Sequence, residues 1–211
     1  MAANPGFQVS LDVKGRSCVV LGGDDEASDK VDRLLDSGAK VTVISPTLND
    51  HLRKLTATAK ILHRVRLFRS TDAQGCFLVV NTLRHDQDFS RSLYELAQKE
   101  RFLLLASDQP EHSTVMLPAV AKRGHLRLAI STSGVAPVLA GKIRQDCEQL
   151  FDEEFERFLE WLAVIRDETK AAEPDAEQRR AKLREAVEGF KLSGTIQYPK
   201  AWLNARRQQQ A

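Results

Sequence analysis

The most regular hydrophobic pattern in the chain is a short apolar strand followed by a glycine turn and an amphipathic helix. Four apolar residues, 18–21, precede Gly22 and Gly23, and apolar residues then recur at helical spacing as far as Gly38. A second apolar run, 41–44, follows directly. Strand, glycine turn, helix and strand within about 30 residues predict a βαβ unit of the dinucleotide-binding kind.

The glycine turn departs from the dinucleotide fingerprint at one position. In the pattern G-x-G-x-x-[GA], the fingerprint positions are Gly22, Asp24 and Ala27, so the second glycine is an aspartate. Glycine lets the backbone approach a pyrophosphate, whose charge the helix N-terminus stabilises. A carboxylate adds bulk and negative charge at the same place. On this motif alone, a dinucleotide site and an ordinary βα turn are equally open interpretations.

Strands and helices keep alternating up to about residue 110. Extended segments are predicted at 7–13 (a strand or an extended lead-in), 61–65, 77–80 and 102–105. Asp86 or Asp88 is predicted to cap a helix before the last of these segments. This alternation predicts an α/β fold with a doubly wound parallel sheet.

Asp108 follows the last predicted strand of this region. In open parallel sheets, ligands bind beyond the carboxyl ends of the strands, so Asp108 is expected on the same side as the Gly22 turn. An aspartate close to Pro110 is also a common turn residue. The local sequence leaves both interpretations open.

The pattern changes after residue 112. Strands are predicted at 115–117 and 126–130, and a helix from Pro137. The loop before this helix, 131–133, consists of three hydroxyl residues. Hydroxyls at a helix N-terminus suit an anion such as a carboxylate or phosphate, and helix capping explains them equally well.

Two more helices are predicted towards the C-terminus. The first covers 151–170 and carries a stripe of apolar side chains, and Pro174 breaks it. Asp175 and Gln178 form a capping-box-like start to the second. The apolar stripe is better explained as core or dimer contact than as a cofactor site.

Composition narrows the class of protein. A chain of 211 residues that is 42% hydrophobic can bury a core in one large or two small domains. A net charge of +2 argues against a nucleic-acid or membrane binder. Cys18, Cys76 and Cys147 form no C-x-x-C pair and are typical of reduced thiols. With no signal peptide or membrane-length apolar run, a cytoplasmic protein is expected.

Several motifs together resemble one family. They are Phe7–Arg16, Asp108–Pro110, Leu117–Ala119, Arg123-Gly124 and Leu128–Gly134 with Pro137. In order and spacing they are similar to the precorrin-2 dehydrogenase/sirohydrochlorin ferrochelatase family, whose siroheme-making enzymes also form the N-terminal half of siroheme synthase. The resemblance implies a NAD-binding Rossmann-like domain over 1–112, a small dimerisation domain over 113–150 and a helical C-terminal domain over 151–211.

The resemblance also implies a chemistry. NAD oxidises precorrin-2 to sirohydrochlorin, and in bifunctional members, which are also lyases, the same cleft inserts ferrous iron (Fe2+) into the tetrapyrrole. The catalytic aspartate of the family falls on Asp108, as general base in the oxidation and as acceptor of pyrrole protons in chelation. The family implies a homodimer, and no nucleic acid or membrane is expected as partner.

Binding residues follow from the same resemblance. Those expected to bind the cofactor are Gly22, Gly23, Asp24, Glu26, Ala27, Ser45, Pro46 and Thr82. Those expected to bind the acetate and propionate groups of the substrate are Ser131, Thr132, Ser133 and Lys142. No metal ligands are predicted, because the histidines are scattered singly along the chain.

Four positions depart from the family pattern. They are Asp24, Asp29, Leu105 and the pair Leu83-Arg84. Asp24 and Asp29 place negative charge where an anionic dinucleotide would bind, which predicts weak NAD binding. Two alternatives to the dehydrogenase therefore stay open: a chelatase-only member that has lost NAD, and a non-catalytic tetrapyrrole-binding member.

Overall fold

A computed structural model describes residues 6–200 and contains a five-stranded parallel sheet. Its strands are β1 (Ser17–Leu21), β2 (Lys40–Ile44), β3 (Leu62–Arg64), β4 (Leu78–Asn81) and β5 (Leu103–Ala106). The spatial order is β3-β2-β1-β4-β5, and every neighbouring pair is parallel. The predicted doubly wound, Rossmann-like sheet is confirmed. Its strand order reverses between β1 and β4, where such sheets bind their ligands.

Three helices connect the strands, and each begins at a polar cap. They are α1 (Asp25–Asp36), α2 (Asp50–Ala57) and α3 (Gln87–Glu100). Asp24, Asn49 and Asp86 accept a hydrogen bond from a first-turn N–H of α1, α2 and α3 respectively. Of the two caps predicted for α3, Asp86 is therefore the one used.

Alternate residues of β1 belong to two apolar clusters. Cys18 and Val20 pack with α1 and α2, whereas Val19 and Leu21 pack with α3 and β5. This is the period-two alternation of a strand that is buried on both faces. Burial raises the pKa of the Cys18 thiol to about 11, with a smaller contribution from Cys76, which is consistent with its packing role.

The prediction of a strand at 115–117 is wrong. The N–H groups of Thr114 and Val115 both donate to the carbonyl oxygen of Leu104, at 2.8 and 3.1 Å. The segment is therefore hydrogen-bonded to β5 at one residue but does not pair with it as a strand. The strands of this region are β6 (Ala119–Arg123) and β7 (Leu126–Ile130), which form a two-stranded sheet. The segment 7–13 is a lead-in without regular strand structure.

Three helices follow β7. They are α4 (Pro137–Leu150), α5 (Glu153–Ala172) and α6 (Ala176–Glu185). The helix predicted from residue 151 begins two residues later, because the carboxylate of Asp152 caps it by accepting from Phe155 N at 3.0 Å. Beyond α6, the ring of Phe190 stacks on that of Phe158, with centroids 5.7 Å apart.

The chain forms two compact units. The first contains the described residues up to Ala119 together with Ile130–Ala140. The second contains Val120–Ala129 and the described residues from Gly141 onwards. The domain boundaries expected at 112 and 150 stay predictions. Among residues 6–200, no helix is long and apolar enough to cross a membrane.

Candidate functional site

The two turn glycines are required by the packing of the turn itself. Gly22 has φ +126°, and a Cβ on it would lie 2.1 Å from Thr82 Oγ1. A Cβ on Gly23 would lie 1.9 Å from the carbonyl oxygen of Thr47 and 2.9 Å from Ser45 Oγ. Only glycine fits either position, because the ends of β2 and β4 close over the turn.

Asp24 is the N-cap of α1 and not merely a neighbour of the turn. Its Oδ1 accepts from the N–H of Ala27 at 3.0 Å, and its carbonyl oxygen accepts from the N–H of Ser28 at 3.0 Å. A bound pyrophosphate would use N–H groups of the same helix end. The carboxylate of Asp24 therefore competes with an anion for this site.

Asn49, in the loop after β2, holds the glycine turn and the first turn of α1 in place by hydrogen bonds. Its Nδ2 donates to Asp25 Oδ1 and to Ser28 Oγ, both at 2.8 Å, while its own N–H donates to the carbonyl oxygen of Gly23 at 2.7 Å. Ser45 is buried beneath the turn, and Pro46 is exposed beside it. The ends of β1 and β2 thus form one hydrogen-bonded surface.

A chain of opposite charges crosses the carboxyl end of the sheet. Glu26 on α1 pairs with Lys30 at 3.0 Å and with Arg84 at 2.7 Å, and Ser107 Oγ donates to Glu26 Oε1 at 3.2 Å. The other guanidinium nitrogen of Arg84 lies 3.2 Å from Asp108 Oδ2. Arg84 therefore joins α1, the loop after β4 and the loop after β5.

Asp108 is exposed at the end of this chain of charges. Its side chain is 70% exposed, and its backbone has φ +60°, a left-handed conformation that aspartate tolerates better than most residues. The next residue, Gln109, is buried and donates from Nε2 to the carbonyl oxygen of Arg84 at 3.0 Å. The loop is thus fixed while the Asp108 carboxylate stays open to a ligand.

The charges around Glu26 set its ionisation. Burial acts to raise the pKa of Glu26, but the hydrogen bond and charge of Lys30, the charge of Arg84 and the hydroxyl of Ser107 outweigh it. The pKa of Glu26 is therefore below its ordinary value. Glu26 carries a negative charge at neutral pH and anchors both cations.

The hydroxyl residues of the loop 131–133 make some of their hydrogen bonds within the loop and with the start of α4. Ser131 Oγ accepts from the N–H of Ser133 at 3.1 Å, and Thr132 Oγ1 accepts from the N–H of Ala136 at 3.1 Å, just before α4. Lys142 belongs to the second unit and pairs with Asp146 at 2.6 Å. Among these contacts, none joins the loop to Asp108.

The structure therefore brings one part of the expected site together. Residues of the first unit that meet at the carboxyl edge of the sheet are Gly22, Gly23, Asp24, Glu26, Ala27, Ser45, Thr82 and Asp108. Sequence reasoning missed Ser107 and Gln109 and noted Arg84 only as a departure from the family. Within the described part of the chain, no group of three metal-ligating side chains comes together.

Comparison with known proteins identifies the family. The sequence model of a family described as "Putative NAD(P)-binding" matches residues 9–119, more than half of the chain. The chain belongs to this family. The match contains both the glycine turn and Asp108.

Relatives of the chain are named siroheme synthases. The chain is 33% identical to a siroheme synthase of Methylobacillus flagellatus over 172 residues, which are 82% of the chain and 37% of that relative. It is 33% identical to a siroheme synthase of Thioalkalivibrio sulfidiphilus over 183 residues, which are 87% and 37%. The chain thus spans little more than a third of these relatives.

A solved structure agrees over nearly the whole chain. SirC, a precorrin-2 dehydrogenase, superposes with a TM-score of 0.75 and 25% identity, covering 87% of this chain and 90% of SirC. Together these matches confirm the resemblance to the precorrin-2 dehydrogenase/sirohydrochlorin ferrochelatase family.

The glycine turn suits a dinucleotide in shape. Gly22 and Gly23 carry no side chain, Ala27 is small and buried, and α1 begins directly after them. Negative charge at this helix end opposes a pyrophosphate: Asp24 caps the helix, and Asp25 and Glu26 lie in its first turn. The residues of the turn therefore fit a dinucleotide in shape but not in charge.

Proposed function

We propose that the chain is a NAD-dependent precorrin-2 dehydrogenase of siroheme biosynthesis, an oxidoreductase that converts precorrin-2 to sirohydrochlorin. The observation that carries this proposal is the position of Asp108, which Arg84 links to the first turn of α1 directly after the glycine turn. A carboxylate beside a dinucleotide turn supplies a proton acceptor next to a hydride acceptor. The similarity to SirC supports the choice of substrate.

The residues proposed to hold NAD are Gly22, Gly23, Asp24, Glu26, Ala27, Ser45, Pro46 and Thr82. When bound, the nicotinamide supplies a hydride acceptor. The oxidation also releases a proton, which the Asp108 carboxylate accepts at Oδ1, the oxygen opposite the one nearest Arg84. Asp108 thereby acts as the general base.

The substrate carries carboxylate side groups, and we assign their recognition to Ser131, Thr132, Ser133 and Lys142. In the local hydrogen bonds of the loop, the oxygens of Ser131 and Thr132 act as acceptors, so their O–H groups can still donate to a carboxylate. Lys142 is an exposed cation on α4 and can pair with a further carboxylate.

A homodimer in the cytoplasm is the assembly and location we propose. Val135, Val138 and Leu139 are apolar side chains that are 73%, 86% and 53% exposed at the start of α4. Such a patch favours burial against a second copy of the chain. The patch lies within the segment 113–150 assigned to dimerisation.

Iron insertion is the second candidate function. Asp24 favours it over the oxidation, because its carboxylate caps α1 where the pyrophosphate would bind. In this alternative the chain is a ferrochelatase, a lyase that takes Fe2+ as substrate, and Asp108 accepts the pyrrole protons. A non-catalytic tetrapyrrole-binding protein would keep the same surface without turnover.

An assay with purified protein separates these functions. Precorrin-2 is incubated anaerobically with and without NAD, and its absorbance is followed; sirohydrochlorin is then offered Fe2+. NADH and sirohydrochlorin forming in equal amounts supports the dehydrogenase. Iron insertion without oxidation would identify a chelatase, and tetrapyrrole binding with neither reaction would identify a binding protein.

A further inference from the structure

Arg84 occupies a junction of three loops at the carboxyl edge of the sheet. It lies in the loop between β4 and α3, and its guanidinium contacts Glu26 of α1 and Asp108 after β5. These partners are 58 residues before it and 24 residues after it in the sequence.

The backbone of Arg84 is fixed as well as its side chain. Buried Gln109 donates to the Arg84 carbonyl oxygen at 3.0 Å. Beside it, the N–H of Leu83 donates to Asn81 Oδ1 at 3.0 Å, and Asn81 Nδ2 donates to buried Ser90 at 2.9 Å. The loop that carries the arginine is therefore anchored to the sheet and to α3.

We propose that Arg84 is the positioning residue for Asp108. The guanidinium is held on one side by Glu26 and holds the Asp108 carboxylate on the other, so that the carboxylate keeps one orientation above the edge of the sheet. This inference rests on the proposed function, in which Asp108 is the base.

The ion pair between Arg84 and Asp108 is too exposed to matter much for stability, so its role is to orient the Asp108 carboxylate. The side chain of Arg84 is 44% exposed and that of Asp108 is 70% exposed, and an exposed ion pair contributes little to the stability of the fold. A misplacement of about 1 Å in a reacting group can reduce the rate about 100-fold. Arginine suits this role better than lysine, because its planar fork reaches two carboxylates at once.

Steady-state kinetics of precorrin-2 oxidation test the proposal. In Arg84→Met we expect kcat to fall about 10- to 100-fold while the KM for precorrin-2 changes less than about threefold. Arg84→Lys should recover part of the loss. Adding Arg84→Met to Asp108→Asn should cause no further loss, because the two residues act as one unit. Arg91→Met, at an exposed arginine of α3, is the matched control and should behave as wild type.

Two kinetic outcomes would overturn the proposal. An unchanged kcat in Arg84→Met would show that Asp108 needs no partner. A raised KM with unchanged kcat would make Arg84 a substrate-binding residue instead.

A crystal structure of ligand-free Arg84→Met gives a readout that is independent of turnover. We expect the Asp108 carboxylate to leave its wild-type position or to take several orientations. A carboxylate that stays in place would overturn the proposal. If the wild type does not oxidise precorrin-2, the proposed function fails, while this structure still decides whether Arg84 orients Asp108.

Discussion

The side-chain carboxylate of Asp24 accepts a hydrogen bond from the main-chain N–H of Ala27 at 3.0 Å. This contact caps α1, and it also occupies a donor at the helix end that would face a pyrophosphate. Negative charge at a helix N-terminus stabilises the free protein and repels an anionic ligand. Asp24 therefore links the stability of the fold to the affinity for NAD.

Asp24→Gly is predicted to bind NAD about tenfold more tightly, a gain of about 1.4 kcal/mol, because it removes a negative charge beside the pyrophosphate. The same variant should unfold at a lower temperature, since the cap is lost. Titration calorimetry with NAD and thermal unfolding measure the two effects. Equal micromolar affinity in both proteins would contradict this prediction.

Two further variants separate the charge from the cap. Asp24→Asn keeps a good N-cap and removes the charge, so it should gain affinity and lose only the few tenths of a kcal/mol, roughly, that the charge contributes at the helix N-terminus. Asp152→Gly removes an equivalent cap from α5, where Asp152 accepts from Phe155 N at 3.0 Å. It should lose stability and leave the NAD affinity unchanged.

Glu26 predicts a pH-dependent contribution to stability. The pKa of Glu26 is lowered in the folded protein, so the ionised carboxylate stabilises the fold at pH values above about 4.3, the pKa of a glutamate in the unfolded chain. This contribution is lost as the pH falls through the lower pKa of the folded protein. Glu26→Gln should therefore lower the free energy of unfolding at pH 7 by about 0.5–1 kcal/mol. Urea unfolding at pH 7, 4 and 3 should show this difference shrinking with acidity. A constant difference would contradict it.

Asp72 is a buried carboxylate whose loss should destabilise the sheet edge. Its side chain is 1% exposed; it pairs with Arg64, accepts two hydrogen bonds from Arg66 at 2.7 Å, and accepts one from Arg69 N at 2.8 Å. The hydrogen bonds from Arg66 are the main reason why the pKa of Asp72 lies well below its usual range, so Asp72 stays ionised. Asp72→Asn should cost about 2 kcal/mol, because it leaves the arginines without their partner.

A matched variant checks that burial is the cause. Asp50 also pairs with an arginine, Arg53, but both side chains are well exposed. Asp50→Asn should change the free energy of unfolding by less than about 0.5 kcal/mol. Equal losses in the two variants, measured by urea unfolding, would show that charge alone accounts for the effect.

The first half of the fold, apart from α2, which was not predicted, could be read from the sequence because its signals are local. The unit from β1 to β2 carries a strand, a glycine turn and a helix in one short stretch, and Asp86 caps α3 within its own first turn. The absence of a strand at 115–117 could not be predicted from the sequence, since the N–H of Val115 donates to the carbonyl oxygen of Leu104 in β5, a tertiary contact.

In the candidate site, too, local features could be predicted from the sequence and long-range contacts could not. The resemblance placed Asp108 and the glycine turn. Asp24 was interpreted only as a departure from the dinucleotide fingerprint, although an aspartate directly before a helix is a local capping signal. The pairing of Arg84 with Glu26 and Asp108 depends on three loops meeting at the sheet edge. Such long-range contacts become visible only once the strand order is known.

Dimerisation is predicted to depend on the exposed start of α4. Val138→Glu places a charge in the patch that also contains Val135 and Leu139, so it should yield a monomer at micromolar concentration in light scattering. Val65→Glu, at another exposed valine, should leave the dimer intact. A wild-type monomer, or a dimer in Val138→Glu, would contradict the assignment.

The initial rate of NADH formation from precorrin-2, in the wild type and in Asp108→Asn, tests the central claim most directly. The amide keeps the shape of the side chain but cannot accept the proton, so the rate should fall about 100- to 10,000-fold while the protein stays folded. Asp88→Asn, at an exposed aspartate in the first turn of α3, is the control and should retain the wild-type rate. A near-normal rate in Asp108→Asn would contradict the account and leave Asp108 a turn residue.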